Sequence, residues 1–348
     1  MSALGTIVLT RTYFVCALCH DSGCPLDDRL GLTDSISPEA LRLLVLAGGS
    51  WSFDAARDNL RRFCGLNVSD ELIRQRTLRE GPKLAAFAAA APAGAAPFAQ
   101  AAGDVEFETE ATKVNTVDGW RDAKIGVFVK RPRGEAATLA QWNERALPKP
   151  MARLAFAAIA ENETFAEQWV PLAQQLGIDP QARLSVLGDG AEWIWNRTAE
   201  AFPNAQGVLD IFHALEYVSA AAKGYFGDDA AAVETATTRG RELLLGDGYA
   251  GIVAWVGELG VHPHGGDGAS LGGMRNYLAG HQERLPYALR LRRGQAIGSG
   301  LIEGAAKNVI GRRLKANNAR WLATNVDRME GVCCAIYSDT WDAYWKSN

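Results

Sequence analysis

The stretch Leu184-Ser185-Val186-Leu187-Gly188-Asp189-Gly190 decides the fold. Leu184–Leu187 is too short for a buried helix and the right length for a buried strand, and the Gly-Asp-Gly behind it is a turn. A helix, Trp193–Phe202, follows the turn, and Gly207–Phe212 reads as another strand. Upstream, Val105–Val114, Ala123–Lys130 and Leu154–Ile159 are β-like, the latter two rich in small and branched apolar residues, and Glu163–Leu176 reads as a helix. Strand, strand, strand, helix, strand, helix, strand is the order of a mixed α/β sheet. Residues 214–290 read mainly as helices, interrupted at His262-Pro263-His264-Gly265-Gly266, which resembles a loop more than a metal site. A last helix is expected from about Leu301 to Lys315.

Ahead of the sheet, residues 37–80 read as three short helices. Ser37 caps the first, Pro38 suits its opening position, and Leu41, Leu44 and Val45 form its apolar stripe. Phe53, Ala56, Leu60 and Phe63 mark the second, which stops at Gly65. Ser69 caps the third, with Leu72, Ile73 and Leu78 inside and Arg74, Arg76 and Arg79 expected to face outward. Two helices joined by a tight glycine turn, the second rich in arginine, suit a helix-turn-helix in a DNA major groove; an ordinary solvated face is the alternative. Residues 84–103, Ala-rich and broken by Pro92, Gly94 and Pro97, read as a linker. The expected divisions are a partial zinc-ribbon-like segment (1–35), a helical, DNA-binding region (36–83), the linker (84–103), a catalytic core (104–213), a helical insertion (214–290) and a closing helix with a basic and aromatic tail (291–348).

The 348 residues are 48% hydrophobic and 22% charged, enough to bury a large core, which excludes a collagen or a wholly disordered chain. No apolar run approaches the ~20 residues of a membrane span, and the opening residues lack a basic leader and apolar core. Six cysteines, with Cys333 and Cys334 adjacent, do not form the framework of a secreted domain, so a reducing cytoplasm is expected. Cys16-Ala17-Leu18-Cys19-His20, with Cys24 beyond, is half of a zinc ribbon. A structural zinc wants four closed ligands, so no tightly held zinc is expected on Cys16 and Cys19. The net charge of -4 argues against a general nucleic-acid coat. Locally the balance reverses: Glu283–Arg320 holds nine basic residues and two acidic ones, which suggests one surface facing a polyanion.

Three acids occupy informative places: Glu110 in the first strand of the sheet, Asp189 just past the fourth, and Glu303 on the late helix. Three carboxylates without His or Cys make a hard, oxygen-only site suited to Mg²⁺ or Mn²⁺, and paired ions of this kind serve phosphodiester chemistry. Each acid has a plainer reading. Asp189 suits a strand-end turn, Glu303 is spaced for an ion pair with Lys307, and Glu110 stands among Glu106, Glu108 and Asp118 as one solvated acid of several. No P-loop, dinucleotide fingerprint or kinase motif is present. Gly298-Ser299-Gly300 is not a nucleophile elbow, because no strand leads into it.

Three blocks carry a resemblance. Gly188-Asp189-Gly190-Ala191-Glu192-Trp193-Ile194-Trp195-Asn196, Leu209-Asp210-Ile211-Phe212-His213-Ala214-Leu215-Glu216 and Ile297-Gly298-Ser299-Gly300-Leu301-Ile302-Glu303-Gly304 resemble the signature blocks of bacterial insertion-sequence transposases of the ISKra group. Gly119–Gly126, Arg313-Leu314-Lys315 and Arg320-Trp321 add to the likeness, which covers the chain from about Thr10. The resemblance implies an RNase H-like DDE nuclease with an inserted helical region, preceded here by the small all-α region. It implies Mg²⁺-dependent strand cleavage and strand transfer at transposon ends, in the bacterial cytoplasm at the nucleoid. Asp189 matches the second acid and Glu303 the third, while Asp210 and His213 match an accessory motif. At position 110 the pattern has Asp and this chain has Glu, whose extra methylene moves a carboxylate by roughly 1–1.5 Å, a misplacement large enough to cost about a hundredfold in rate. The upstream CxxC pair usual in the family is missing, as if the chain began late. The implied partners are double-stranded DNA, both ends and target, and at least a second copy of the chain. Arg312, Arg313, Lys315 and Arg320, together with Arg74, Arg76 and Arg79, are expected to grip that DNA. Two other readings stay open: a degenerate remnant that binds DNA without cutting, and a carboxylate-pair hydrolase, to which the basic block lends nothing.

Overall fold

The computed structural model describes residues 1–3, 7–32, 34–90, 92–260, 268–316, 319–338 and 340–347. A small hairpin, β1 (Phe14–Val15) and β2 (Ser22–Gly23), leads into α1 (Pro25–Arg29) and then α2 (Pro38–Ser50), α3 (Phe53–Cys64) and α4 (Asp70–Ala90). The expected caps form: Ser37 Oγ accepts the Ala40 N–H at 3.3 Å, Gly65 closes α3 with φ 65°, and Ser69 Oγ accepts the Leu72 N–H at 3.1 Å. The expected linker does not. Residues 84–90 continue α4, and α5 (Pro92–Gln100) follows, with Leu84, Ala95 and Phe98 buried. Alanine is the strongest helix former, and with apolar anchors to bury it carries the chain through prolines that suggested a coil.

The sheet comprises β3 (Asp104–Thr116), β4 (Gly119–Arg131), β5 (Ala152–Ile159), β6 (Ser185–Gly188) and β7 (Gln206–Leu209), in the order β5-β4-β3-β6-β7. β3, β4 and β5 are antiparallel, and β6 and β7 run parallel to β3, so the architecture is a mixed α/β sheet flanked by helices. The helix read over 163–176 is two, α6 (Asn162–Ala166) and α7 (Trp169–Gln175), and α8 (Glu192–Ala201) connects β6 to β7. The last strand is shorter than read, because Asp210 leaves the sheet to cap α9 (Ile211–Phe226). Then come α10 (Ala230–Asp247), α11 (Tyr249–Gly260), α12 (Ala269–Ala279) and α13 (Tyr287–Arg292), packed with Leu187, Val208 and Leu209 in a core of their own. His262, Pro263 and His264 lie outside the described residues.

The late helix starts as expected and is interrupted: α14 (Gly300–Ala306), a π turn (Lys307–Gly311), α15 (Arg312–Leu314), then α16 (Ala323–Tyr337) and α17 (Trp341–Ser347). One sheet face is aromatic, with Phe107 at 4.5 Å from Phe128 and 4.8 Å from Trp169 between ring centres. The other face (Val114, Ala123, Ile125, Val127) is covered by Ile302, Ala305, Val309 and α16, and joins a single core with α2, α3 and α4. Among the described residues no helix is long and apolar enough to cross a membrane.

Candidate active site

Alternation along β3 puts Glu106, Glu108 and Glu110 on one face and Phe107 and Thr109 on the other. Glu106 and Glu108 are buried, not solvated as their charge suggested. Glu106 is held by Arg131 at 3.0 Å. Glu108 Oε2 accepts the Ile302 N–H at 2.9 Å, and its Oε1 has no partner among the described residues. Burial first, then the charge of Glu106, pushes the Glu108 carboxyl up to about 8.

Glu108 pairs with Leu187 across the parallel β3–β6 register. Two residues further on, Glu110 stands beside Asp189, where β6 ends and both side chains are half-buried. Glu303, one residue past Ile302 on α14, is exposed on the same side. Glu110 senses the other two: burial, then repulsion by Glu303 and Asp189, pushes its carboxyl up to about 7, while the ammonium of Lys315 pulls it down. Lys315 is held there by Thr112, whose Oγ1 accepts from Nζ at 2.6 Å. The three acids singled out from sequence are therefore brought together, with a lysine at their rim. Among the described residues no three His, Cys, Asp or Glu side chains close into a coordination shell as they stand. The donor chemistry nonetheless fits a hard divalent cation, since the set is all oxygen and the repulsion felt by Glu110 is one that a cation relieves.

Asp189 Oδ1 accepts the Ala191 N–H at 2.8 Å, and its carbonyl accepts from Trp195 Nε1 at 2.9 Å, which fixes the turn. Gly190 is required by space: a Cβ there would lie 1.6 Å from Tyr277 Oη. Tyr277, from α12, stacks on Tyr217 at 3.8 Å, and the edge of His213 meets Tyr217 at 5.5 Å. His281 lies 4.9 Å from Tyr277, its ring held below the usual histidine range by burial and by Arg284. Asp210 is a clamp. Its Oδ1 accepts the His213 N–H at 2.8 Å, and its Oδ2 accepts both the N–H and the hydroxyl of Ser299, the latter at 2.9 Å. The sequence offered no sign of Tyr277 or His281, which sit in the insertion. Glu108 was visible as one of three glutamates at period two.

The cations divide. Arg312 and Arg320 are exposed, Arg312 bonded to Asn308 at 3.1 Å and Arg320 to the Val117 carbonyl at 3.2 Å. Arg313, expected at the DNA, is buried instead, its guanidinium 4.4 Å from the Phe53 ring and 5.0 Å from Trp321, with Nε donating to Gly48 O at 2.8 Å. Following Arg312 in the helical turn, it points to the core. On α4, Arg74 pairs with Glu71 at 2.7 Å, and Arg76 and Arg79 with Asp34 at 2.5 and 3.3 Å; Arg76 is nearly buried rather than outward. Cys16 and Cys19 are exposed at the tip of the hairpin, and N–H groups of Cys19 and Leu18 draw the Cys16 thiol below its usual range. Comparison with protein-family models finds no match for the chain, and comparison with curated proteins finds none either.

Proposed function

We propose that this chain is a DDE-type DNA transposase similar to the ISKra group, built on an RNase H-like sheet, which cleaves insertion-sequence ends and joins them to target DNA. One observation carries the reading: Asp189 and Glu303, far from Glu110 in sequence, lie close enough to it at the open end of β3 and β6 to raise its carboxyl. The strand order, with the acid-bearing β3 and β6 adjacent, supports it. Glu110, Asp189 and Glu303 would hold Mg²⁺ or Mn²⁺, which when bound supplies Lewis acidity to the scissile phosphodiester. Lys315 and Arg312 bind the flanking phosphates, and Asp210 fixes the loop from which α14 starts. Water is the nucleophile for cleavage and a DNA 3′-hydroxyl for transfer. The length of Glu110 favours a second reading, a remnant that binds ends without cutting.

The test is a linear DNA carrying the element's ends, incubated with Mg²⁺ or Mn²⁺ and examined for 3′-end nicks. Cleavage by the wild type that vanishes in Glu303→Gln, with melting temperature unchanged, is the expected result, and Glu110→Asp should raise it. Arg312→Ala with Lys315→Ala should weaken binding to all sequences alike and flatten its salt dependence by about two units. Binding without nicking in both the wild type and Glu110→Asp selects the remnant, and loss of both binding and nicking rejects the DNA reading.

A further inference from the structure

The late helix has no cap of its own. The Ser299 side chain makes no bond to the first turn of α14 and is turned to Asp210. The sheet supplies the acceptors instead. Asp210, at the end of β7, takes the Ser299 N–H and hydroxyl, and Glu108, on β3, takes the Ile302 N–H at 2.9 Å. Glu108 is wholly buried one pleat below Glu110, and Ile302 is the residue immediately before Glu303. A buried carboxyl on the strand that carries one acid of the site therefore grips the backbone of the helix that carries another. Inside the turn the Ile302 N–H is shared with the Ser299 carbonyl at 2.9 Å; Glu108 and Asp210 are the acceptors that reach this turn from the sheet, and two such points of attachment fix both the height and the rotation of α14.

We propose that Glu108 is a positioning residue: with Asp210 it sets α14 so that Glu303 stands against Glu110 and Asp189. The consequence for metal binding rests on the transposase reading; the anchoring itself does not. Glu108→Leu keeps the volume and removes the acceptor, whereas Glu108→Gln keeps an acceptor oxygen. Two readouts apply to each full-length variant: hydrogen exchange of the 300–306 amides, and Mn²⁺ affinity by titration calorimetry. Glu108→Leu should remain folded, exchange these amides about tenfold faster and bind Mn²⁺ about tenfold more weakly, and Glu108→Gln should restore both. Unchanged exchange in Glu108→Leu, or equal damage in Glu108→Gln, overturns the proposal. Should Glu108→Leu fail to fold, the wild-type Ile302 amide decides by NMR. A coupling through the hydrogen bond from the Ile302 amide to the Glu108 side-chain carboxyl carbon upholds the bond, and coupling to the Ser299 carbonyl alone rejects it. A wild type that binds no Mn²⁺ removes the metal reading, while the exchange result still judges the anchor.

Discussion

Glu330 on α16 is fully buried, and neither carboxylate oxygen has a partner among the described residues. Burial first, then the charge of Asp327, holds its carboxyl well above the usual range, so the group is folded into the core as the neutral acid. The linkage follows in sign. Below pH about 4.5 both folded and unfolded chains carry this proton; above it only the folded chain does, so stability falls as pH rises. Glu330→Leu removes the buried polar group, and the variant should be more stable than the wild type at pH 8 by about 1–4 kcal/mol, with a smaller gain at pH 4.5. Urea melts at both pH values check this, and a variant equally stable, or gaining equally at both, would refute it. Such positions mark the limit of sequence reading at this scale. Glu106, Glu108 and Glu330 are acids, and an acid is expected in water unless its partner is known. The partners (Arg131 for Glu106, the Ile302 N–H for Glu108) come from elements remote in sequence. Arg313 misleads in the same way, because its two aromatic neighbours, Phe53 and Trp321, belong to different parts of the chain.

Among the elements, β5 carries the hazard of an edge strand, whose outward N–H groups invite another chain. α16 and the residue after it manage this. Ser338 Oγ accepts the Ala155 N–H at 2.8 Å, and Asp327 Oδ1 accepts the Ile159 N–H at 2.9 Å. The two bonds differ in setting. Ala155 and Ser338 are buried, so Ser338→Ala leaves an N–H that water cannot reach and should cost about 1–3 kcal/mol. Ile159 is only half-buried; water replaces Asp327, and Asp327→Ala should cost clearly less. Equal losses in thermal melts would contradict this difference between the two bonds. The order of elements was legible in the sequence, because periodicity and turn residues are local and both survive in the fold. Element ends were less so. Asp210 reads as part of a strand until the cap on His213 is seen, and the alanine-rich run 84–103 reads as linker until Leu84 and Phe98 are found buried. The π turn at Lys307–Gly311, which carries the buried Val309 and Ile310, has no sequence signal at all.

At the scale of the whole molecule, the residues expected to join two domains instead weld them. α4 packs its first half on α2 and α3 and its second half on α16, which lies on the sheet. The approach of α4 to α16 is close to backbone contact: a Cβ at Gly81 would lie 1.8 Å from the Arg328 carbonyl, and one at Gly331 would lie 2.4 Å from that of Gly81. Arg313 adds a second tie, from the end of the late helix to the Gly48 carbonyl on α2. The helices before residue 84 and one face of the sheet are thus a single core, and neither part can bury its apolar surface alone. Elastase, which cuts at small side chains, offers a demanding test because residues 84–103 are rich in alanine. A flexible linker there would be the first site cut, whereas helices α4 and α5 withhold those bonds until the core opens. Limited digestion should therefore leave 84–103 intact, thermal unfolding of the chain should follow one cooperative transition, and a fragment beginning at residue 104 should not fold. Release of a stable fragment starting within 84–103, or two separate melting transitions that divide there, would restore the linker and detach the helical region from the site.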